Sequence, residues 1–366
     1  MICYVYRLKY FLELSESYSL RSTQSIQMNK INMRQLAKEL KVSVATVSKA
    51  LNDSHEISEQ TKKKVLEGAS RLNYTINPYA SSLRNKKSKT IAAILPEVAD
   101  HFFSLAINGI QAIAEQNGYH VLIYLSHEKF SNEMAIIEDC KSGRVDGVLI
   151  SVTSETSNAD HLLKLQQKNI PIVFFDREFE GFPGSKVVTN DFDSGNRAAK
   201  HLFKNGCTKI AFLSISSCLS ICRKRAEGFK AAATGLKMRT HSDIVVMEAE
   251  NNQELQNKIR KLLRSKNRPD GIIASVERIA MAVYLVCKEM GISIPGQLKV
   301  VAFSAIETAS ILNPSLTTIT QPAFEIGSAA AELLFKQMKK RSADVDEETI
   351  ILPSILIERD SSSHHA

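Results

Sequence analysis

Three side chains early in the sequence have types and spacing suited to reading DNA bases. Val44, Ala45 and Lys49 share the outward face of a predicted short helix, near its amino end. A lysine ammonium can donate to O6 and N7 of guanine, and the two apolar side chains can contact thymine methyl groups. The neighbouring hydroxyls of Thr46 and Ser48 suit phosphate oxygens. A helical hairpin with a solvated face is the alternative interpretation.

Two further predicted helices supply the scaffold for this face. Asn32 and Gln35 have the spacing of a capping box at the start of a first helix. Ser43 is placed to cap the second helix, Val44 to Leu51, and a third helix starts at Ser58. The helix-turn-helix predicted by this arrangement presents its second helix to the major groove. Apolar side chains at helical spacing predict a shared core of Leu36, Ala37, Leu40, Val42, Val47, Ala50, Leu51, Val65, Leu66, Ala69 and Leu72.

The positive charge of the chain is concentrated in this same region. The formal net charge is +8, and residues 30–89 hold 13 Lys or Arg against 5 Asp or Glu. Residues 90–366 hold 31 against 32, so the rest of the chain is nearly neutral. A basic module on a neutral body is typical of proteins that bind nucleic acid, although a solvated basic face gives the same balance.

Other functional classes find little support in the sequence. No P-loop, GxSxG, HExxH or paired-carboxylate signature is present, so we predict neither an enzyme nor a cofactor site. No apolar run approaches the ~18 residues of a membrane helix. The cysteines lack metal-ligand spacing and are expected to be buried, reduced thiols; they are Cys3, Cys140, Cys207, Cys218, Cys222 and Cys287.

From Thr90 onward the pattern changes to apolar strands alternating with amphipathic helices. The strands IAAILP, HVLIYLS, VDGVLISV and IPIVFFD form one series, and KIAFLSI, DIVVME, DGIIAS and KVVAFS form a second. Such alternation predicts an α/β core of two doubly wound parallel-sheet lobes. Ligands bind such folds at the carboxyl ends of the strands, here in a cleft between the lobes.

These features divide the chain into four segments. Residues 1–29 are an extension that does not resemble a signal peptide, and we expect Met28 to be the true start. The predicted segments are then a headpiece over 30–77, a hinge helix and linker over 78–89, and a core over 90–366. Within the core we expect lobe 1 at about 90–190 plus 321–342, and lobe 2 at about 191–318 plus 347–360.

The runs QLAKELKVSVATVSKALND and ISEQTKKKVLEGASRLNYTINPYASSLR resemble the headpiece and hinge helix of the lactose-repressor (LacI/GalR) family, and the resemblance extends from residue 31 to about 360. It implies a homodimer on a pseudo-palindromic DNA operator and a core like the periplasmic binding proteins. By this resemblance Val44, Ala45 and Lys49 read bases. Leu83, with Ser82, is the minor-groove wedge that kinks DNA. Lys41 departs from the family, which usually has glycine in this turn.

The same resemblance implies an effector site in the cleft. Phe102 and Phe103 match the family's pocket entrance, where rings can stack on a sugar or nucleobase. Asp176 follows a strand and can accept hydrogen bonds from ligand hydroxyls, and Asp191 lies at the crossover between lobes. Arg225 matches the family arginine that points into the cleft. The phenylalanines could instead be core residues, and either aspartate could be a helix cap.

Two positions in the cleft depart from the family. Glu277 lies in the segment Ser275–Arg278, where the family usually has Asn-Asp, and Ser304 replaces the aspartate of a Gly-Phe-Asp triplet that commonly holds a sugar. These departures imply a different or less polar ligand, or none. We therefore expect a cytoplasmic transcription regulator, a repressor in our interpretation, controlled by a sugar-like effector. The alternatives are an effector-independent or protein-partner-controlled regulator, and a solute-binding protein.

Overall fold

A computed structural model describes residues 31–51, 53–74, 87–235, 243–249, 251–339 and 347–363. The chain divides into two compact units, Met1–Ser81 and Ser82–Ala366. Each unit has a hydrophobic core of its own. Within the described residues, no helix is both long and apolar enough to cross a bilayer.

Over residues 31–74, the described part of the first unit, the structure has three helices, α1 (Met33–Leu40), α2 (Val44–Leu51) and α3 (Glu59–Arg71). The predicted capping box opens α1: the Gln35 N–H donates to Asn32 Oδ1 at 3.0 Å, and the Asn32 N–H donates to Gln35 Oε1 at 2.8 Å. Lys41 ends α1 in the left-handed conformation, with φ 51°. The turn therefore keeps the geometry that glycine favours, at the strain of a Cβ.

The helices meet through a small core whose buried members are Leu36, Ala37, Leu40, Val47, Ala50, Val65 and Ala69. Gly68 lets α3 approach α1, since a Cβ there would lie 2.6 Å from a Leu40 methyl carbon. Two expectations about burial are wrong. Leu66 is 54% exposed, because Val65 and Ala69 already form the inward stripe of α3. Cys218, which lies in the second unit, is exposed too.

The second unit alternates strands and helices. In chain order its elements are β1 (Thr90–Leu95), α4 (His101–Gln116), β2 (His120–Leu125), α5 (Phe130–Asp139), β3 (Gly147–Ile150), α6 (Asp160–Gln166), β4 (Ile172–Phe175), β5 (Ser185–Thr189), α7 (Asp191–Lys204), β6 (Ile210–Ser214), α8 (Ser220–Gly235), β7 (Asp243–Val246), α9 (Asn252–Leu263), β8 (Gly271–Ala274), α10 (Glu277–Met290), β9 (Lys299–Phe303), β10 (Thr317–Thr320), α11 (Ala323–Lys339), β11 (Thr349–Leu352) and β12 (Ile355–Ile357).

The strands form two six-stranded sheets, one in each lobe. Their orders are β11-β5-β4-β3-β1-β2 and β12-β10-β9-β8-β6-β7. The neighbouring strands are parallel except β10 and β12, which are antiparallel. Central strands such as β3, β4 and β8 are buried throughout. Helices must therefore cover both faces of each sheet, as the sequence pattern predicts.

One boundary in the sequence-based division is wrong. We expected residues 347–360 to lie wholly in lobe 2, but β11 pairs with β5 in the sheet of lobe 1, and only β12 joins lobe 2. The chain crosses between them at Pro353-Ser354, where proline has no N–H for a strand ladder. The Ser354 N–H instead donates to Asn190 Oδ1 at 2.8 Å, which ties this crossover to the one between β5 and α7.

Candidate DNA-binding surface and effector cleft

The outward face of α2 carries the residues predicted to read bases. Val44 is 42% exposed, and Ala45 and Lys49 are exposed as well. Ser43 caps the helix: its Oγ accepts the Thr46 N–H at 3.0 Å and lies 2.8 Å from Thr46 Oγ1. This cap satisfies a free N–H group in the first turn of α2 and so fixes where the helix begins, next to Val44 and Ala45.

The residues predicted to contact the DNA backbone differ in exposure. Thr46 is half-buried but borders the exposed face, and its hydroxyl already has Ser43 as a partner. Ser48 is only 3% exposed, because it faces the interior of the three-helix unit rather than solvent. We therefore omit Ser48 from the proposed DNA contacts. Ser82 and Leu83, predicted to form the minor-groove wedge, lie outside the described residues.

The cleft between the lobes brings together most of the predicted effector residues. It is lined by Asp100, Phe102, Phe103, Asp176, Arg177, Ile221, Arg225, Val276, Glu277, Phe303, Ser304, Ala305 and Gln321. These residues follow the carboxyl ends of β1, β4, β8, β9 and β10 or lie on α8, as the fold predicts. The free volume is about 30 Å³, which is room for about one water molecule. The lobes are thus closed onto their own side chains.

Arg225 is the most buried charged side chain of the cleft, with 1% exposure. Its Nε donates to Asp191 Oδ1 at 2.6 Å, and its Nη1 donates to the Ser275 carbonyl at 2.7 Å. The guanidinium carbon lies 4.2 Å from the centre of the Phe303 ring. Its Nη2 is buried without a hydrogen-bond partner in the described structure, so one donor is left for a ligand. Asp191 does not line the cleft but orients this arginine.

The sequence of two helices fixes where Arg225 lies. Gly195 on α7 packs against the backbone of Arg225 on α8, since a Cβ at Gly195 would lie 2.0 Å from the Arg225 carbonyl oxygen. A reciprocal contact joins Gly228 to Phe192, where a Cβ would lie 1.9 Å from the carbonyl oxygen. Two glycines on facing helices therefore allow the backbones to touch and bring Asp191 and Arg225 together.

Asp176 is a buried carboxylate in a strained backbone position. Its φ is 60°, and its side chain meets Gln321 Nε2 at 3.5 Å and Arg177 Nε at 3.7 Å. Burial raises the pKa of Asp176 to about 6, and the positive charges of Arg177 and Arg225 only partly oppose this effect. It is not a helix cap. Because its oxygens have only these long contacts, it is suited to accept hydrogen bonds from a ligand.

Arg177 is a cleft residue that the sequence analysis did not find. It is 5% exposed, its Nη1 donates to Glu128 at 2.8 Å, and its Nε is buried without a hydrogen-bond partner. Its guanidinium carbon lies 5.7 Å from the centre of the Phe103 ring. The adjacent Asp-Arg pair after a buried strand was the available signal, because an arginine directly after a strand reaches the ligand-binding edge of a sheet.

The remaining predicted cleft residues, two phenylalanines, a serine and a glutamate, line the cleft and also contact other residues of the protein. Phe102 and Phe103 belong to the core of lobe 1 and also line the cleft, so the core interpretation is confirmed and stacking on a ligand stays a prediction. Their rings meet edge to face, 5.3 Å apart. Ser304 Oγ donates to Glu277 Oε2 at 3.0 Å, and burial raises the pKa of Glu277. The two departures from the family pattern thus contact each other across adjacent strand ends.

Ion pairs close the mouth of the cleft. Glu178, which follows β4 in lobe 1, pairs with Lys224 of α8 in lobe 2 at 2.6 Å, and also with Lys186 of β5. Glu180 pairs with Arg223 of α8. Burial by itself would raise the pKa of Glu178, but its hydrogen bonds to Lys186 and Lys224 outweigh burial and lower it. These contacts join the two lobes to each other.

Comparison with known proteins matches both units. The model of bacterial regulatory proteins of the lacI family matches residues 32–77, and a periplasmic-binding-protein-like domain matches residues 199–362. The ribose operon repressor of Halalkalibacterium halodurans is 32% identical over 332 residues, which cover 90% of this chain and 96% of that protein. The chain belongs to the LacI family. As a LacI-family protein it is a DNA-binding transcription regulator.

Two other relatives support the assignment over nearly the whole length. Catabolite control protein A of Priestia megaterium is 28% identical over 86% of this LacI-family chain and 94% of its own. The lac repressor dimer, solved on its operator with the anti-inducer ONPF, matches with a TM-score of 0.80 at 20% identity, over 91% of this chain and 99% of that one. The headpiece and two-lobed core are thus those of the LacI fold. These relatives are named as regulators rather than enzymes.

Proposed function

We propose that this protein is a cytoplasmic repressor that binds a pseudo-palindromic operator as a homodimer. Its affinity for the operator falls or rises when a neutral, sugar-like effector enters the cleft. We infer a sugar-like effector because the cleft contains both buried hydrogen-bond donors and a buried acceptor that a ligand could satisfy. Arg177 Nε and Arg225 Nη2 lack hydrogen-bond partners in the described structure, while Asp176 has only long contacts. A sugar hydroxyl both donates and accepts, so a diol can satisfy both kinds of group.

Charge and shape favour a neutral ligand over an anion. The lining holds three carboxylates, Asp100, Asp176 and Glu277, against two guanidiniums. The rings of Phe102, Phe103 and Phe303 supply faces for the apolar side of a sugar ring. The most similar relative named above is a ribose operon repressor, which supports a pentose as the first compound to test.

The small free volume means that a sugar can enter only if the lobes separate. The free volume of about 30 Å³ is small, so we infer that sugar binding shifts this arrangement toward a more open one. A ligand that binds one arrangement of the lobes more tightly than the other increases the population of that arrangement. If the two arrangements also differ in operator affinity, ligand binding changes operator binding. The crossovers at Asn190, Gln321 and Pro353 are the natural hinge.

Exposed apolar side chains on edge strands support the homodimer. On β2, one of the two edge strands of lobe 1, Leu122 is 40% and Ile123 46% exposed, and on β7, one of the two edge strands of lobe 2, Val246 is 41% exposed. The two strands occupy equivalent ends of their sheets. Such edges are normally blunted or covered, and a second copy would cover them. Sedimentation of the Leu122→Lys variant should show a shift from dimer toward monomer.

The test of the effector is thermal unfolding of the full chain with ribose, other monosaccharides, nucleobases and amino acids. A binding sugar at a hundredfold excess over its Kd adds about 2.7 kcal/mol to the unfolding free energy. Asp176→Asn should abolish the shift, because an amide replaces the ionised acceptor. A shift with anions alone, or a sugar shift that survives in the variant, would reject the proposed site.

A second candidate is a LacI-family regulator whose cleft takes no effector. The ion pairs that join the lobes favour this version, because they oppose opening of the cleft, as does the loss of a carboxylate at Ser304. Operator binding by the full chain that no compound of the panel alters, together with no thermal shift, would favour it. The DNA-binding proposal has its own test: Leu83→Ala should weaken operator binding and reduce DNA bending, as expected for a minor-groove wedge.

A further inference from the structure

We propose that Glu56 is a positioning residue for base recognition, which holds the Lys49 ammonium so that it reads one base pair. The inference rests on the proposed role of Lys49 in the major groove. Glu56 lies in the loop between α2 and α3, and its carboxylate forms an ion pair with Lys49 Nζ. Both side chains are about half exposed, at 47% for Lys49 and 53% for Glu56. The pair therefore lies on the open surface of the headpiece.

The backbone of the loop is built to present Glu56 to α2. The Ser54 N–H donates to the Lys49 carbonyl at 3.0 Å, and the Asp53 N–H donates to the Ala50 carbonyl at 3.2 Å. The Glu56 N–H then meets Ser54 Oγ at 3.3 Å. Asp53 turns the chain in the left-handed conformation, with φ 52°. The loop thus folds back on the last turn of α2, and the Glu56 carboxylate lies beside Lys49, whose carbonyl accepts the Ser54 N–H.

Neighbouring carboxylates serve a different cation. Asp53 and Glu59 both pair with Lys62 of α3, at 2.6 Å and 2.8 Å. Lys62 is only 11% exposed, so these contacts anchor the third helix rather than the recognition helix. Glu56 contacts Lys49 instead. Two acidic residues near Glu56 therefore provide matched controls, because each carries the same charge on the same headpiece without touching Lys49.

The chemistry of lysine explains what Glu56 contributes. A free lysine side chain has many rotamers and three N–H donors, so by itself it gives attraction to phosphates more readily than specificity. One donor held by Glu56 leaves two that can reach O6 and N7 of guanine. A carboxylate close to DNA also repels phosphates, which lowers binding to any sequence. Glu56 thus lowers the affinity for DNA of any sequence and increases discrimination between bases at one base pair.

The experiment starts with selection of a random duplex library by the full-length protein, followed by affinity measurements on single-base variants of the enriched sequence. Lys49→Ala identifies the base pair whose preference depends on Lys49. At that pair, Glu56→Gln should reduce discrimination about three- to tenfold, the loss expected when one base contact is weakened. Affinity for a scrambled duplex should rise. Glu59→Gln should leave discrimination at that pair unchanged.

A double-mutant cycle separates positioning from a general charge effect. In the Lys49→Ala background, Glu56→Gln should cause no further loss of discrimination at that base pair, since the two residues act through one contact. Additive losses, or an equal effect of Glu59→Gln, would overturn the inference. Failure of the wild-type chain to enrich any sequence would instead overturn the proposed DNA recognition. Circular dichroism of each variant confirms that the headpiece is folded.

Discussion

Glu178 and Lys224 form a 2.6 Å ion pair that joins the two lobes at the mouth of the cleft. The Glu178 side chain is 3% exposed and also pairs with Lys186 of its own lobe, so a single carboxylate neutralises one cation on each side. Removing it leaves two like charges near each other. The pair therefore favours the closed arrangement, and its loss should favour an open one.

Glu178→Gln is accordingly expected to open the cleft. The radius of gyration measured by small-angle X-ray scattering should increase, and the melting temperature of the core should fall by several degrees. Glu138→Gln is the matched control, because Glu138 forms an ion pair with Lys141 at 2.7 Å within lobe 1. An unchanged radius of gyration in Glu178→Gln, or an equal change in the control, would show that this ion pair does not hold the lobes.

Arg225→Ala should strongly destabilise the core. Its partner Asp191 is 2% exposed, and removal of one member of a buried ion pair typically costs about 3–5 kcal/mol, since the remaining charge has no counterion. Urea unfolding of the full chain measures the change. The exposed Arg223→Ala should cost less than about 1 kcal/mol. Similar losses in the two variants would contradict the structural role assigned to Asp191.

Gly195→Ala should also destabilise the core, by forcing α7 away from α8. The added methyl would lie 2.0 Å from the Arg225 carbonyl oxygen, and backbone atoms on both sides cannot yield without moving a helix. We expect a loss of more than about 3 kcal/mol in the unfolding free energy. Gly235→Ala, at the end of α8 where a Cβ meets open space, should change stability by no more than about 1 kcal/mol. A benign Gly195→Ala would mean that the helices are not in this close contact.

The raised pKa of Asp176 predicts a specific dependence on pH. Its folded pKa of about 6 lies above the ordinary value of 3.8, so the folded state binds the proton more tightly than the unfolded chain. Stability from this group is present below about pH 4 and is lost as the pH rises through 6. The unfolding free energy should fall by up to about 3 kcal/mol over this pH range. The wild-type minus Asp176→Asn difference in unfolding free energy, measured from pH 4 to 7, should follow this curve; a flat difference would refute the shift.

Local sequence was enough to define the headpiece and the exposed face of its second helix. The capping box of Asn32 and Gln35, the cap at Ser43 and the apolar spacing of α1 to α3 act within a few residues, and each is found in the structure. Strand and helix alternation likewise fixed the class of the core, because a buried parallel sheet requires near-continuous apolar strands. These features depend on neighbours along the chain, which a sequence displays directly.

Tertiary structure alone decided which residues meet. Arg177 and Gln321 line the cleft because distant strands end at the same edge, and Glu178 joins the lobes. Their partners Glu128, Asp176 and Lys224 are far away in sequence. The same holds for β11, which the chain order placed in lobe 2 and which pairs with β5 in lobe 1. Burial of Ser48 depends on how three helices pack, not on its position in α2. Pairing, burial and electrostatics are properties of the folded arrangement, and periodicity in the sequence constrains them only weakly.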